Sequence, residues 1–170
     1  LVFLRKLTGI LILFLLMSGC ATQRRGPLPP VNQKQERSQS QPKKQVKKGD
    51  TDLVCDLAQS FIGLDYVWGG STPKGFDCSG LTQYCYRQVG VKLPRKAVAQ
   101  SLTGQKVPLS KLEKGDLLFF KIDSRVITHV GMHIGNNRFV HAPGRGKKIK
   151  ISSLDNRWWK SRLSHARRVI

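Results

Sequence analysis

The apolar pattern of this chain changes period once, near Gly115, and that change limits the folds open to it. Before Gly115 the apolar residues recur at helical spacing in two runs. The first is Leu53, Val54, Leu57, Ala58, Phe61 and Ile62; the second is Leu81, Tyr84, Cys85 and Val89. Asp52 and Asp77 are residues of the kind that cap helix starts, and Gly63 and Gly90 are natural stops. After Gly115 the pattern predicts strands over 116–121, 128–135, 138–142, 147–152 and 166–170. Between the two regimes, 64–70 reads as a short extended piece ending in a Gly pair. Leu93-Pro94-Arg95 reads as a turn, and 97–102 as a short helix. Helices first and consecutive strands afterwards predict an α+β domain, with N-terminal helices packed on an antiparallel sheet.

That domain is expected to occupy residues 51–170, enough chain for a single core. Two segments precede it. Residues 1–20 carry the basic pair Arg5 and Lys6, an apolar run from Leu7 to Met17, and the small residues Ser18 and Gly19 before Cys20. This is the three-part pattern of an export signal, short for a membrane span. Small residues directly before a cysteine resemble a bacterial lipobox, with Met17 where Leu is usual. That resemblance implies acylation of Cys20 and attachment to a membrane. Ala21 follows, not Asp, which points to the outer membrane, facing the periplasm. Residues 21–50 are dominated by Gln, Lys, Arg, Pro and Ser, which bury too little apolar surface to offset chain entropy. They read as a disordered basic tether with a typical reach of about 30 Å.

The formal charge of +20 divides into +2 for residues 1–20, +6 for the tether and +12 for the domain. A basic patch often marks a nucleic-acid binder. Here an export signal and the absence of any nucleic-acid-binding motif exclude that partner in favour of anionic envelope polymers or headgroups.

The chemistry is expected at Cys78. It follows the loop residues Pro73 and Gly75 and the cap Asp77, and so stands on the first turn of the second helix. Helix N-termini favour thiolate over thiol, and a thiolate is the nucleophile of a cysteine hydrolase. Such a nucleophile needs a base and a group to orient it. The four histidines are His129, His133, His141 and His165. In the predicted strand 128–135, residues 129, 131 and 133 share a face. A three-residue loop, 135–137, would set His141 opposite Gly131, diagonal to both His129 and His133. Spacing therefore offers a histidine pair without choosing its first member. Cys55 and Cys85 fall on the apolar faces of the two helices. They could be bridged or remain buried free thiols.

Taken together, several motifs resemble the NlpC-type cell-wall cysteine peptidase family, and most closely its Spr-like murein endopeptidase lipoproteins. They are Tyr66-Val67-Trp68-Gly69-Gly70, Phe76-Asp77-Cys78-Ser79-Gly80-Leu81, Leu93-Pro94-Arg95, Gly115-Asp116-Leu117, His129-Val130-Gly131-Met132-His133-Ile134-Gly135 and Phe139-Val140-His141-Ala142. The C-terminal Trp158-Trp159-Lys160 and Ala166-Arg167-Arg168-Val169 extend the likeness. The resemblance implies a papain-like fold and a Cys-His-His triad: Cys78 as nucleophile, His129 as base, His141 as orienting residue. It implies that Tyr66 helps to hold the oxyanion or substrate, and that Asp77 and Ser79 contact the stem peptide. The substrate would be peptidoglycan peptides, cut at cross-links between D-Ala and the diamino acid or in the stem between D-Glu and the diamino acid. No metal or other cofactor is expected. The alternative is a non-catalytic, membrane-tethered peptidoglycan-binding lipoprotein. Lys96 and Ala97 depart from the family, standing where hydroxyl residues commonly follow the Leu-Pro-Arg turn. His133 stands where an aromatic is usual.

Overall fold

The first helix begins earlier than its sequence suggests. In the computed structural model, which describes residues 48–170, α1 runs Lys48–Ser60, so Asp52 lies inside it rather than capping it. The polar residues ahead of Asp52 carry no apolar signal to mark the true start. The expected export signal, Cys20 and residues 21–47 of the expected tether lie outside the described residues; the last three residues expected in the tether, 48–50, instead open α1.

From α1 the chain turns at Gly63, whose φ of 91° is in the left-handed region that glycine tolerates. A short hairpin follows, β1 (Ser71–Thr72) with β2 (Gly75–Phe76), and then α2 (Cys78–Gln88) and α3 (Ala97–Gln100). The strands are β3 (Gln105–Val107), β4 (Leu117–Phe120), β5 (His129–His133), β6 (Arg138–His141) and β7 (Lys150–Ser153). Helix α4 (Arg157–Arg162) leads directly into β8 (Leu163–Arg168). Six of these strands form an antiparallel sheet in the order β3-β8-β4-β5-β6-β7. The five predicted strands are present with shifted ends; β3 is an addition.

The β5–β6 register positions the site. Met132 pairs with Val140 and His133 with Phe139, and the same register carried on sets His141 opposite Gly131. The turn at Gly135, Asn136 and Asn137 makes this possible, all three having positive φ. Gly131 itself is forced, because a β-carbon there would fall 2.5 Å from the Phe139 ring.

Strands β4 and β5 are buried along their whole length, so the sheet is covered on both faces. On one face Leu117, Phe119, Val130, Met132 and Val140 join Val54, Ala58, Leu81, Cys85 and Tyr86 of α1 and α2. On the other, Leu118, Phe120, Phe139, Leu154 and Ala166 pack with Trp159 of α4. The last strand is clamped: Arg168 donates from Nε and Nη2 to the Asp116 carboxylate at 2.8 and 2.9 Å, and Nη1 pairs with Glu113 at 3.0 Å. Asp116 is 1% exposed, a carboxylate that would be costly to bury without that partner. Cys55 and Cys85 are both free and buried; burial pushes their thiols up to about 11 and about 12 respectively.

Candidate active site

Helix α2 starts where it does because Asp77 caps it. With φ −91° and ψ 178°, Asp77 accepts from the Gly80 N–H at 2.7 Å. The same carboxylate accepts from the Gly69 N–H at 3.1 Å, which ties the 69–70 loop to the helix start. It also takes a two-pronged bond from Arg95, at 2.9 and 2.5 Å. Arg95 donates as well to Ser79 Oγ at 3.0 Å and to the Gly70 carbonyl at 3.3 Å. Gly80 allows this closeness, since a β-carbon there would sit 2.0 Å from the Gly70 oxygen. Asp77 and Ser79, expected at the substrate, are thus engaged within the fold, and the motif arginine Arg95 is the residue that engages them.

Cys78 is half-buried and faces a cleft of about 470 Å³ shared with Tyr66, Trp68, Lys96, Val98 and Thr128. Its thiol titrates above the ordinary thiol value. Burial is the main cause and the Asp77 charge adds to it; hydrogen bonds from the N–H groups of Val130, Ser79 and Cys78 itself pull the other way. Desolvation therefore outweighs the helix start, and the shift runs against the thiolate that its position alone favours. The Val130 N–H belongs to β5, so the cysteine meets the sheet at the residue next to His129.

His129 and His141 are joined directly: Nε2 of the first lies 2.9 Å from Nδ1 of the second. His141 Nε2 is 3.0 Å from Ser152 Oγ on β7. Both rings are buried among aromatics. Trp159 packs against each, with ring centroids 5.5 Å from His129 and 4.7 Å from His141, and Phe120 and Phe139 complete the enclosure. Burial lowers both imidazoles well below the usual histidine range, and the neighbouring imidazole and lysines lower His141 further. Both rings are neutral at neutral pH.

His133, the other diagonal candidate, does not meet His141. Its Nδ1 is 2.9 Å from the Glu113 carbonyl, and its Nε2 is buried with no partner among the described residues. His165 lies elsewhere, stacked on Phe119 and 3.1 Å from the Ser101 carbonyl. Tyr66 lines the cleft, and its phenol is shifted upward by burial and by nearby Cys78 and Asp77, so it remains a donor. Among the described residues there is no group of three metal-ligating side chains. In the sequence Arg95 and Trp159 stand out only as parts of motifs, and Ser152 belongs to none. Trp159 was the most legible of the three, as one of two adjacent tryptophans in a polar segment.

Helices packed on an antiparallel sheet, with a cysteine at a helix start and a buried histidine pair on neighbouring strands, are the papain-like α+β arrangement. The model of the NlpC/P60 family matches residues 63–168, and the chain belongs to that family. It is 43% identical over 118 residues to the murein DD-endopeptidase MepS/murein LD-carboxypeptidase of Escherichia coli, covering 69% of this chain and 62% of that protein. It is 36% identical over 125 residues to the gamma-D-glutamyl-L-lysine dipeptidyl-peptidase of Bacillus subtilis, covering 72% of this chain and 42% of that one. The solved NlpC/P60 domain of the peptidoglycan hydrolase SagA matches with a TM-score of 0.62 at 35% identity, covering 69% of this chain and 97% of that domain. The chain spans between 28% and 64% of the length of the first curated relatives it matches.

Proposed function

We propose that this protein is a peptidoglycan endopeptidase that hydrolyses amide bonds of wall peptides through Cys78, His129 and His141. The observation that carries the reading is the histidine pair at 2.9 Å, on the strand whose Val130 N–H meets the Cys78 thiol. The relatives, one a murein DD-endopeptidase/murein LD-carboxypeptidase and one a gamma-D-glutamyl-L-lysine dipeptidyl-peptidase, support the substrate class.

A neutral thiol beside a neutral imidazole implies proton transfer during attack rather than a standing ion pair. With His141 donating from Nε2 to Ser152 Oγ and accepting at Nδ1 from His129 Nε2–H, His129 Nδ1 keeps its lone pair and can act as base. That nitrogen takes the thiol proton as Sγ bonds to the scissile carbonyl carbon. The Cys78 backbone N–H and the Tyr66 hydroxyl meet the oxyanion. Collapse breaks the C–N bond, and His129 passes its proton to the leaving amine. It then deprotonates a water that attacks the thioester, releasing the new carboxylate and restoring the thiol. His141 holds the tautomer, and the dry aromatic wall keeps both rings uncharged. Asp77, Ser79 and Arg95 fix the start of α2 and thereby the thiol.

The proposal includes the architecture expected from sequence: an export signal to residue 20, a lipid on Cys20, a basic tether, and the enzyme domain held at the outer membrane, within reach of the wall. The bond preferred is the cross-link between D-Ala and the diamino acid. Digestion of purified cross-linked muropeptides by the protein and by Cys78→Ala, read by mass spectrometry, tests it. Dimers converted to monomers by the wild type alone support the cross-link reading, and shortened stems support the other bond. Both proteins sedimenting with the wall, without any cleavage, would make it a binding lipoprotein instead.

A further inference from the structure

The cleft beside Cys78 is lined by three charged side chains: Asp77, Arg95 and Lys96. Asp77 and Arg95 neutralise each other through their two-pronged pair. Lys96 is exposed, and its ammonium has no hydrogen bond or ion pair among the described residues. Of the side chains that line the cleft, Lys96 is therefore the one whose charge is uncompensated; Arg145 adds a second cation at the rim, over the Trp68 ring at 5.2 Å.

That charge occupies a position where a lysine does nothing for the fold. Lys96 is the N-cap of α3, with φ −95° and ψ 140°, and makes no side-chain cap bond. Ser, Thr, Asp or Asn would cap the helix there and lysine cannot. Its backbone is nevertheless held firmly relative to the nucleophile's helix. Buried Gln100 of α3 donates to the carbonyls of Ser79 and Pro94 at 2.9 and 2.8 Å, and accepts from Thr82 of α2 at 2.8 Å. Lys96 thus projects a cation from a firmly held backbone position on the cleft it shares with Cys78, at a site where a capping side chain is absent.

Resting on the wall-peptide reading above, we propose that Lys96 is a specificity residue that recognises a free carboxylate on the peptide next to the bond cut. Wall peptides present such groups on either side of the candidate bonds: the α-carboxylate of γ-linked D-Glu and the side-chain carboxylate of a diamino acid. Each can also occur as the carboxamide. A lysine with no acidic partner separates the two forms, because it gains an ion pair with one and meets a neutral group in the other.

The test uses the full chain and matched muropeptides that differ only in a carboxylate or carboxamide flanking the cleaved bond. Wild type is expected to favour the carboxylate about three- to five-fold in kcat/KM, the size of an exposed ion pair. Lys96→Thr should lose that preference through a higher KM for the carboxylate form alone, with the carboxamide form unchanged. Its melting temperature should equal or exceed that of wild type, since threonine can cap α3. Lys96→Glu should invert the preference, and 0.5 M salt should shrink it in wild type. Equal effects of Lys96→Thr on both substrates, or none on either, would overturn the proposal. The same comparison by Kd in a Cys78→Ala background separates it from the enzyme reading. If neither muropeptide is cut, the endopeptidase reading fails, while a carboxylate preference in binding that Lys96→Thr abolishes still supports the role of Lys96. No preference in binding overturns it.

Discussion

The two sides of the cysteine are built on opposite principles. On one side, the imidazoles of His129 and His141 are kept uncharged by enclosure between Phe120, Phe139 and Trp159. On the other, Asp77 and Arg95 hold each other in place as an ion pair, with side chains 13% and 37% exposed. Dryness sets the chemistry of the first side, and geometry sets that of the second. A base must give and take protons at neutral pH, so a lowered proton affinity is tolerable and a fixed charge is not. A helix cap has only to stay in place, and a charge pair does that well even where water reaches it.

Removing the proposed base is the largest break. His129→Ala should lower kcat/KM by about 10³-fold or more, within the range of lost general-base catalysis, with a much smaller effect on muropeptide affinity. Acid is next. Both histidines have folded values below the unfolded value of about 6.5, so their contribution to stability is complete above that pH and is lost on acidification. Between about pH 6.5 and pH 5 each should cost up to about 2 kcal/mol, seen as a falling midpoint in urea melts at stepped pH. Rates of thiol alkylation should also fall with acid, being slow at pH 6 and rising only well into the alkaline range, because burial raises Cys78.

Opening the dry side should show how it works. Trp159→Ala is expected to cost about 3 kcal/mol, a little below a fully buried tryptophan, and to admit water to both rings. The pH dependence of stability should then flatten as the histidines move back toward their ordinary range. The smallest effect belongs to the ionic side. Arg95→Met should cost about 1 kcal/mol in stability, since the pair is partly exposed, yet reduce kcat by about tenfold as the start of α2 loosens. If Arg95→Met proved the more destabilising of the two, the contrast between the sides would fail.

The sequence made the dry side partly legible. A period of two and a turn at Gly135, Asn136 and Asn137 sufficed to set His141 diagonal to His129 and His133. Spacing could not choose between them and the family resemblance chose His129; in the structure the Glu113 carbonyl engages His133, a contact twenty residues away along the chain. Ser152 and Trp159 join the histidines from later elements, and no local pattern announces such meetings. Arg95 was visible as part of a turn, but its grip on Asp77 spans eighteen residues. Strand β3 escaped notice because Gln105 and Lys106 are exposed and polar, as an edge strand's residues often are. The start of α1 was misplaced because Asp52 is the right kind of residue for a cap at the wrong position.

The place of β8 in the sheet has a kinetic side. It is the last strand in sequence, yet it lies between β3 and β4, and neither of these pairs with the other. The sheet therefore cannot grow outward from its hairpins alone. The β4-β5-β6-β7 meander can form early from neighbouring segments, but β3 has nowhere to dock until residues some sixty positions later arrive, Gln105 pairing with Arg168. Closing so long a loop early is slow and its reward comes late. Helix α4 enters with that same closing segment, so the cover over His129 and His141 should be among the last parts to assemble. A nascent or half-folded chain would carry its cysteine and histidines without the enclosure that sets their protonation, and hydrolytic competence should appear only with the final step of folding.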